Sequence, residues 1–380
     1  MADQVQKGLE GVVVGDTMTS LVNGTEGKLI YGGYRIEDLA ANALFEEVVY
    51  LLWNNRLPNA AELEELRQSL AQSAVLPEGL LNLMRNYPAE ANPMAVLESA
   101  VAALAFYDPD AEDNSIEAAR RKAVRLTGQI TTICAAWNRL RKGQEPVAPR
   151  ADLTLAQNFV YMLTGEEPDK TASDAVNVYL VLLAEHGMNA STFTSRVVTA
   201  TNSDIHSAVV AAIGALKGPA HGGANAAAMA LFLEIGDPDR VTEWFNQEVK
   251  AKKRRIMGIG HRVYKAPDPR AAVLKQHAEA LAKSSGNDRW FEIANQLEQA
   301  ALADEYFIER KLFPNVDYYS AILLYTINLD VDMFTPLFAM SRIAGWSAHI
   351  LEQMANNRLI RPRANYVGEM DLDWVSVEDR

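Results

Sequence analysis

Cysteine is nearly absent from this chain of 380 residues, and the single Cys134 excludes an intrachain disulfide. Long apolar runs are missing too, since the stretch Ala100–Tyr107 is far shorter than the roughly 20 residues of a membrane-spanning helix. The formal net charge is −13 at pH 7, whereas nucleic-acid binding depends on surplus lysine and arginine. We therefore expect a cytoplasmic protein that binds neither membranes nor nucleic acids, with no secretory or transit signal in the polar segment 1–7.

Strand patterns are also rare. The segments 12–22 and 28–34 flank the dipeptide Asn23-Gly24, which is typical of tight hairpin turns. They predict one small N-terminal β-hairpin, and no later segment gives a comparable signal.

Helical periodicity fills the rest of the chain. Asn114 and Glu117, three residues apart, form a capping-box pattern that predicts a helix running to Gly143. Strands and helices do not alternate, so a parallel sheet is disfavoured and the predicted fold class is all-α. Further helices are predicted over 152–164, 172–186, 205–217, 223–235, 239–254, 270–284, 289–310, 317–329 and 335–357.

Groups able to do chemistry stand in the breaks between the predicted helices. His221 lies in the glycine-rich segment 218–225, just before a helix of small residues. The positive end of that helix dipole disfavours a charged imidazole, and a neutral histidine can donate a hydrogen bond to a developing enolate oxygen. A histidine that only caps the helix is the alternative for this motif.

A second break, 257–270, combines two glycines with His261 and Arg270. Glycine allows a ligand to approach the backbone closely. Across 250–270, eight lysines and arginines stand against one acid, Asp268, in a chain that is acidic overall. The cluster predicts a site for phosphate or carboxylate groups, although its first few basic residues alone are equally typical of a solvated helix end.

The third break ends at Asp317, at the start of an apolar helix. Taken alone, an aspartate in this place is most often an N-cap. A role as a catalytic base would require partial desolvation, which raises the basicity of a carboxylate.

His186 lies in the segment 185–192, near a helix end and followed by small polar residues. Arg342 and Arg361 complete the set, because a guanidinium binds a carboxylate through two parallel hydrogen bonds. A surface salt bridge is the alternative for either arginine. The histidines that lie within helical runs, to which we assign no role, are His206, His277 and His349.

Taken together, these segments resemble the citrate synthase family, in its short prokaryotic type, over essentially the whole chain. The resemblance begins at Leu9-Glu10-Gly11-Val12 and ends at Arg361-Pro362-Arg363. The family's signature of a Gly-x-Gly-His segment followed by Asp-Pro-Arg is matched between Gly258 and Arg270. Ile259 departs from the pattern, which more often has Phe, Tyr or Ala there.

For the architecture, the resemblance implies two helical domains with the active site in the cleft between them. Residues 1–222 and 332–380 would form the large domain, and residues 223–331 an inserted smaller domain that closes over the substrates. Arg361 would serve the site of the neighbouring subunit, so a homodimer, or an assembly of dimers, would be the active form.

For the chemistry, the resemblance implies condensation of acetyl-CoA, as a substrate, with oxaloacetate, and no metal or other cofactor. Asp317 would remove a methyl proton, His221 would donate a hydrogen bond to the enolate oxygen, and His261 would protonate the ketone oxygen. Citryl-CoA would then be hydrolysed to citrate and CoA. The residues implied for oxaloacetate are His186, Arg270, Arg342 and Arg361, and those implied for CoA are Gly258, Ile259, Gly260, Lys265, Arg254 and Arg255.

Two other functions stay open at this point. A 2-methylcitrate synthase would use propionyl-CoA with the same acid and base groups, and the extra methylene is worth only about 1 to 3 kcal/mol in a pocket. A zinc-dependent hydrolase could use His186, His221, His261 and Asp317, but these residues lack the short ligand spacing on one helix that such sites usually have.

Overall fold

The computed structural model describes residues 5–380 and is built mainly of α-helices, as the predicted all-α class requires. Within those residues, no helix has both the length and the apolar composition needed to cross a membrane. The helices are α1 (Ile36–Asn42), α2 (Phe45–Asn54), α3 (Ala60–Ser73), α4 (Glu78–Arg85), α5 (Pro93–Leu104), α6 (Ile116–Leu140), α7 (Leu155–Thr164), α8 (Lys170–Leu183), α9 (Ala190–Thr199), α10 (Ile205–Lys217), α11 (Ala224–Ile235), α12 (Val241–Trp244), α13 (Pro269–Ser285), α14 (Arg289–Leu302), α15 (Glu305–Glu309), α16 (Val316–Thr326) and α17 (Phe334–Ala355).

The N-terminal hairpin is present as the first two strands of a small antiparallel sheet, β1 (Ser20–Asn23) and β2 (Lys28–Tyr31). A third strand, β3 (Tyr34–Arg35), pairs with β2 and was not predicted. The first strand is also shorter than the predicted 12–22. Val13 is 85% exposed and has no partner strand, so its β-branched side chain favours extended backbone without forming sheet.

Several predicted helix ends move for local reasons. The capping box at Asn114 was wrong by one residue: Ser115 is the N-cap, and its hydroxyl accepts the Ala118 N–H at 3.2 Å. Helix α9 was not predicted because its short polar residues weaken the apolar pattern, but Asn189 caps it by accepting the Thr192 N–H at 3.1 Å. The predicted segment 239–254 begins as α12 and continues as a π-helix, and 289–310 is divided between α14 and α15.

Helix α17 lies in the centre of the core. Every residue from Phe334 to Leu351 is buried, so this helix has no solvent face. It packs against α2, α6, α8, α9 and α10. The lone Cys134 of α6 is a buried free thiol whose Sγ lies 3.6 Å from the carbonyl oxygen of Pro336 in α17. Helices α11, α13, α14 and α16 pack together in a second group.

Gly128 marks a tight crossing between α3 and α6 in the core. A Cβ at this position would lie 2.7 Å from Leu70 O and 3.1 Å from Ala74 N, and both are backbone atoms that cannot rotate away. Gly128→Ala should therefore lower the free energy of unfolding, because overpacking costs about 1–3 kcal/mol and the gain in helix propensity is at most about 1 kcal/mol. Urea unfolding measures the difference. The control is the substitution Gln129→Ala at the neighbouring half-buried residue. If both variants had the same free energy of unfolding, the close contact described at Gly128 would be contradicted.

Candidate active site

The residues from the three sequence breaks come together in the structure. The rings of His186 and His261 lie edge to face with centroids 5.4 Å apart. The positive charge of Arg342 acts on both His221 and Asp317, and His186 is influenced electrostatically by His221, His261 and Arg342. These groups therefore lie close enough for the charge of one to shift the pKa of another.

His221 is fixed through its Nε2 atom. Ser191 Oγ lies 2.8 Å from Nε2, and the Ser191 N–H points at the same nitrogen from 3.4 Å. A backbone N–H can only donate, so in the neutral ring Nε2 accepts and Nδ1 carries the proton. Burial, with a smaller effect of Arg342, lowers the pKa of His221 to about 4. The sequence predicted a neutral ring from the helix dipole, whereas in the structure burial is the main cause.

Ser191 was not identified from the sequence as a site residue. Its hydroxyl also accepts a hydrogen bond from Trp346 Nε1 at 3.0 Å, which anchors it to α17. A serine in the first turn of a helix has no distinctive pattern, so only the fold reveals the contact.

His261 has the opposite tautomer. Its Nδ1 accepts hydrogen bonds from the N–H groups of Val263, at 3.0 Å, and Tyr264, at 3.2 Å. The proton of the neutral ring is therefore on Nε2. Burial, followed by the charge of Arg270, lowers the pKa of His261 to about 4, so the ring is neutral at pH 7.

Tyr264 connects the two neighbouring histidines, and no sequence pattern identified it as a site residue. Its hydroxyl lies 3.2 Å from His186 Nε2, and its ring centroid lies 4.9 Å from that of His261. Burial raises the pKa of Tyr264 to about 12, so the hydroxyl keeps its proton. Burial also lowers the pKa of His186 well below its usual value.

Asp317 is not the N-cap of α16. That position is occupied by Asn315, whose side-chain oxygen accepts the Asp317 N–H at 2.9 Å. The carboxylate of Asp317 is thus left free of a capping role. Burial raises the pKa of Asp317 to about 6, against the opposing charge of Arg270. The group is ionised at pH 7 and more basic than an ordinary aspartate.

Arg270 is held by Asp268 in a buried pair. The Nε–Oδ1 distance is 3.0 Å and the Nη2–Oδ2 distance is 2.8 Å. Asp268 Oδ2 also accepts the Val316 N–H at 3.2 Å, which connects Arg270 to the first turn of α16. In the sequence, Asp268 is the one acid in a basic segment and the first residue of the Asp-Pro-Arg signature, but it was assigned no role.

Arg342 has no carboxylate partner in an ion pair among the residues that the structure describes. It is 1% exposed, its Nε donates to Leu183 O at 2.7 Å, and its guanidinium lies 4.8 Å from the ring centroid of Phe338. Burial lowers its pKa, but an arginine stays charged at pH 7. The largest favourable charge acting on Arg342 is that of the buried Glu185 carboxylate, which forms no ion pair with it, so a ligand carboxylate would supply a direct partner.

Gly258 and Gly260 join the His261 loop to α16. Both have positive φ, 81° and 91°, and a Cβ on Gly258 would lie 2.9 Å from the Tyr318 Cα. Asn315 N–H donates to Gly258 O at 2.8 Å, and its side-chain amide donates to Gly260 O at 2.8 Å. The chain's own packing therefore requires these glycines, whatever ligand approaches them.

A cavity of about 970 Å³ opens beside this loop. Of the residues implied for CoA, it is lined by Gly258, Ile259, Gly260, Arg254 and Arg255. The Arg254 guanidinium is already paired with Glu234, with N–O distances of 2.6 and 2.7 Å, so Arg255 is the less committed cation.

Lys265 does not line this cavity. Its side chain is exposed, and its N–H donates to Gly24 O at 2.8 Å in the turn between β1 and β2. A Cβ on Gly24 would lie 2.1 Å from Val263 O. The hairpin turn therefore packs directly against the loop that carries His261.

Arg361 lies outside the cluster. It is exposed in the segment that follows α17, and no hydrogen bond or ion pair within residues 5–380 joins it to the other site residues. The chain alone does not bring this residue to the site.

The donor geometry does not favour a zinc site. The described residues contain no group of three or more His, Cys, Asp or Glu side chains arranged to hold a metal ion. In addition, His221 Nε2 and His261 Nδ1 already accept backbone N–H groups. Their lone pairs are not directed at a common point.

The family model for the C-terminal domain of citrate synthase matches residues 8–363. The chain belongs to the citrate synthase family. Citrate synthase 2 of Bacillus subtilis is 47% identical over 98% of this chain and 99% of its own length. A 2-methylcitrate synthase of Mycobacterium tuberculosis is 43% identical over 96% of this chain and 91% of its own. The citrate synthase of Thermoplasma acidophilum, solved as a ternary complex with carboxymethyl coenzyme A and oxaloacetate, has a TM-score of 0.93 at 36% identity and covers 99% of this chain and 100% of its own.

Asp317→Asn should abolish turnover and stabilise the fold at pH 7. A carboxyl whose pKa is raised on folding binds its proton more tightly in the folded state, so stability falls as the pH rises from about 4 to about 6. The amide of the variant does not titrate, so the variant should have a free energy of unfolding higher than that of the wild type by on the order of 1–3 kcal/mol above pH 6, and no such difference below pH 4. Urea unfolding of both proteins at pH 4 and pH 7 measures it.

Asn315→Ala is the matched control, because it removes the true N-cap. It should destabilise by about 1 kcal/mol at both pH values. If Asp317→Asn instead destabilised the protein equally at both, Asp317 would have a structural role rather than that of a desolvated base.

Proposed function

We propose that this protein acts as a citrate synthase, condensing acetyl-CoA with oxaloacetate and water to give citrate and CoA. The observation that carries the proposal is the convergence of Asp317, a base with a raised pKa, with two neutral histidines of fixed and opposite tautomers. Carbon–carbon bond formation at a thioester methyl needs a base for the methyl proton and N–H donors for the two oxygens that gain charge.

Asp317 takes a methyl proton of acetyl-CoA, and the electrons of that C–H bond form the enolate. The Nδ1–H of His221 donates a hydrogen bond to the enolate oxygen, and the low pKa of His221 means that no proton has to leave an imidazolium. The enolate carbon then bonds to the keto carbon of oxaloacetate. As that oxygen gains charge, His261 donates its Nε2 proton to it. Asp317 then gives up the proton that it took and His261 is reprotonated, so both side chains return to their starting states. Water finally cleaves the thioester of citryl-CoA.

Oxaloacetate is held by charge. Arg270 and Arg342 are both buried, and Arg342 forms no ion pair with the residues that the structure describes, so a substrate carboxylate could pair with its guanidinium. The charges of both arginines act on His186, whose ring lies beside that of His261. The Thermoplasma relative was solved with carboxymethyl coenzyme A and oxaloacetate, which supports oxaloacetate as the dicarboxylate ligand.

The cavity beside Gly258 suits CoA, with Arg255 for its phosphates. We assign the packed group of α11, α13, α14 and α16 to an inserted domain, 223–331, and the remainder, 1–222 and 332–380, to the large domain. Closure of the smaller domain would exclude water from the enolate. No organic cofactor or metal takes part in this scheme.

The active unit is a homodimer in this proposal. Arg361 is exposed, and the segment after α17 exposes large apolar side chains, including Val367 at 94% and Trp374 at 81%. Apolar side chains this exposed are typical of a surface that a partner covers. A neighbouring subunit would cover this segment and receive Arg361 in its site. The buried free thiol of Cys134 is consistent with a reducing cytoplasm.

A 2-methylcitrate synthase is the second candidate, because a relative with that activity is 43% identical. We expect acetyl-CoA to exceed propionyl-CoA in kcat/KM by about 10- to 200-fold, the usual effect of one methylene. Release of CoA thiol with oxaloacetate measures both rates. EDTA should change neither rate, since side chains supply every proton transfer. A preference for propionyl-CoA would establish the second candidate, and loss of activity restored by zinc would refute the metal-free scheme.

Mixed dimers test whether Arg361 acts across the subunit boundary. Arg361→Ala and Asp317→Asn should each be nearly inactive as homodimers. A mixed dimer with shared sites has one site with both defects and one with neither, so random reassortment should recover about a quarter of wild-type activity at most.

The control is a pair of differently tagged chains, whose co-purification verifies that subunits exchange. If Arg361 served its own subunit, each site of a mixed dimer would carry one defect. Activity that stays at the level of the separate variants after verified exchange would therefore exclude the shared site.

A further inference from the structure

Helix α17 contacts the three successive residues immediately before His186, two of them at the backbone carbonyl and the third at its side chain. Its three binding positions are spaced by three and four residues, so they lie on one face of the helix. The contacts run from Arg342 Nε to Leu183 O at 2.7 Å, from Gly345 N to Ala184 O at 3.1 Å, and from His349 Nε2 to Glu185 Oε1 at 3.0 Å.

Glu185 closes this arrangement around His186. Its carboxylate is fully buried, and Oε1 accepts the N–H of Gly187, the residue after His186. The same oxygen accepts the Ser20 hydroxyl at 3.0 Å, and the Tyr31 hydroxyl donates to Glu185 O at 2.6 Å. The backbone is thus held on both sides of the histidine.

The contact with α17 leaves no spare room. A Cβ on Gly345 would lie 2.3 Å from Glu185 Oε2 and 2.4 Å from Ala184 O. Glu185 Oε2 is buried without a hydrogen-bond partner among the described residues. Burying a carboxylate in this way is costly, and the mechanism proposed above does not use it.

His349 donates to Glu185 in either protonation state. Burial opposes its protonation, but Glu185 raises the pKa of His349 to about 9. Arg196 Nη1, 3.2 Å from Nδ1, instead favours a neutral ring that accepts there. Nε2 carries a proton in both cases, so the contact with Oε1 does not depend on which state is present.

We propose that Glu185 and His349 form a positioning pair that orients His186 for the dicarboxylate substrate. The pair does not touch the substrate; it fixes the turn from which His186 extends. This inference rests on the proposed function, in which His186 binds oxaloacetate. It adds a role for His349, to which no role was assigned from the sequence.

His349→Leu tests the pair. We expect the dissociation constant and the KM of oxaloacetate to rise about tenfold, comparable to the loss of an outer partner of other binding histidines, while the KM of acetyl-CoA stays within about twofold. His349→Gln, whose amide N–H reaches the position of Nε2, should restore most of the affinity. Calorimetry and steady-state kinetics measure the two constants.

The matched control for lost stability is Arg125→Gln. It removes a partly buried arginine that pairs with Asp108 and Asp110 at 2.7 and 2.6 Å, and it lies on α6, away from the His186 turn. It should lower the melting temperature without changing the affinity for oxaloacetate. If His349→Leu does not fold, Glu185→Gln, which keeps the shape and removes the charge, should weaken oxaloacetate in the same direction.

A His186→Ala background separates the two proposals. That substitution alone should weaken oxaloacetate, and adding His349→Leu should weaken it no further. If His186→Ala leaves the affinity unchanged, the site assignment under the proposed function fails. If His186→Ala weakens binding but folded His349→Leu does not, or if the two effects add, the positioning pair is wrong and the proposed function stands.

Discussion

The rest of the site depends on the burial of α17 from Phe334 to Leu351. A helix with no solvent face cannot leave charged side chains to water, so the guanidinium of Arg342 and the ring of His349 must be satisfied within the core. His349 is satisfied by the Glu185 side chain. Within the described residues, Arg342 donates only its Nε–H, to Leu183 O, and keeps the rest of its guanidinium available. Both partners lie in the turn that leads into His186. Under the proposed function, core packing and substrate binding therefore depend on the same contacts, and a change made for one would affect the other.

The same burial acts in opposite directions on the two kinds of acid–base group. It lowers the pKa of His221 and His261, which become neutral donors, and it raises the pKa of Asp317, which becomes a stronger base. The backbone then fixes the tautomers, since Ser191 donates to one ring and Val263 to the other. Burial away from water thus produces one base, the Asp317 carboxylate, and two neutral hydrogen-bond donors, His221 and His261. Each group has its ordinary charge at pH 7.

The sequence was sufficient for the fold class, the family and the residues in the breaks, because helical periodicity and the Gly-x-Gly-His segment are local patterns. It failed where two neighbouring residues could fill one role, as when Ser115 rather than Asn114 caps α6. The contacts of Ser191 and Tyr264 could not be predicted either, since they join segments 30 and 78 residues apart. Such contacts are fixed by tertiary packing and leave no periodic signature.

Cys134 has a practical consequence for studying this molecule. Burial raises the pKa of its thiol to about 12, and the side chain lies between α6 and α17. A thiol that is neither exposed nor ionised does not react with disulfide reagents. A colorimetric thiol assay will therefore detect the CoA released by turnover without a contribution from the Cys134 thiol of the enzyme. In the absence of substrate, the slow rate at which Cys134 is labelled will report how often the core opens or unfolds enough to expose this thiol.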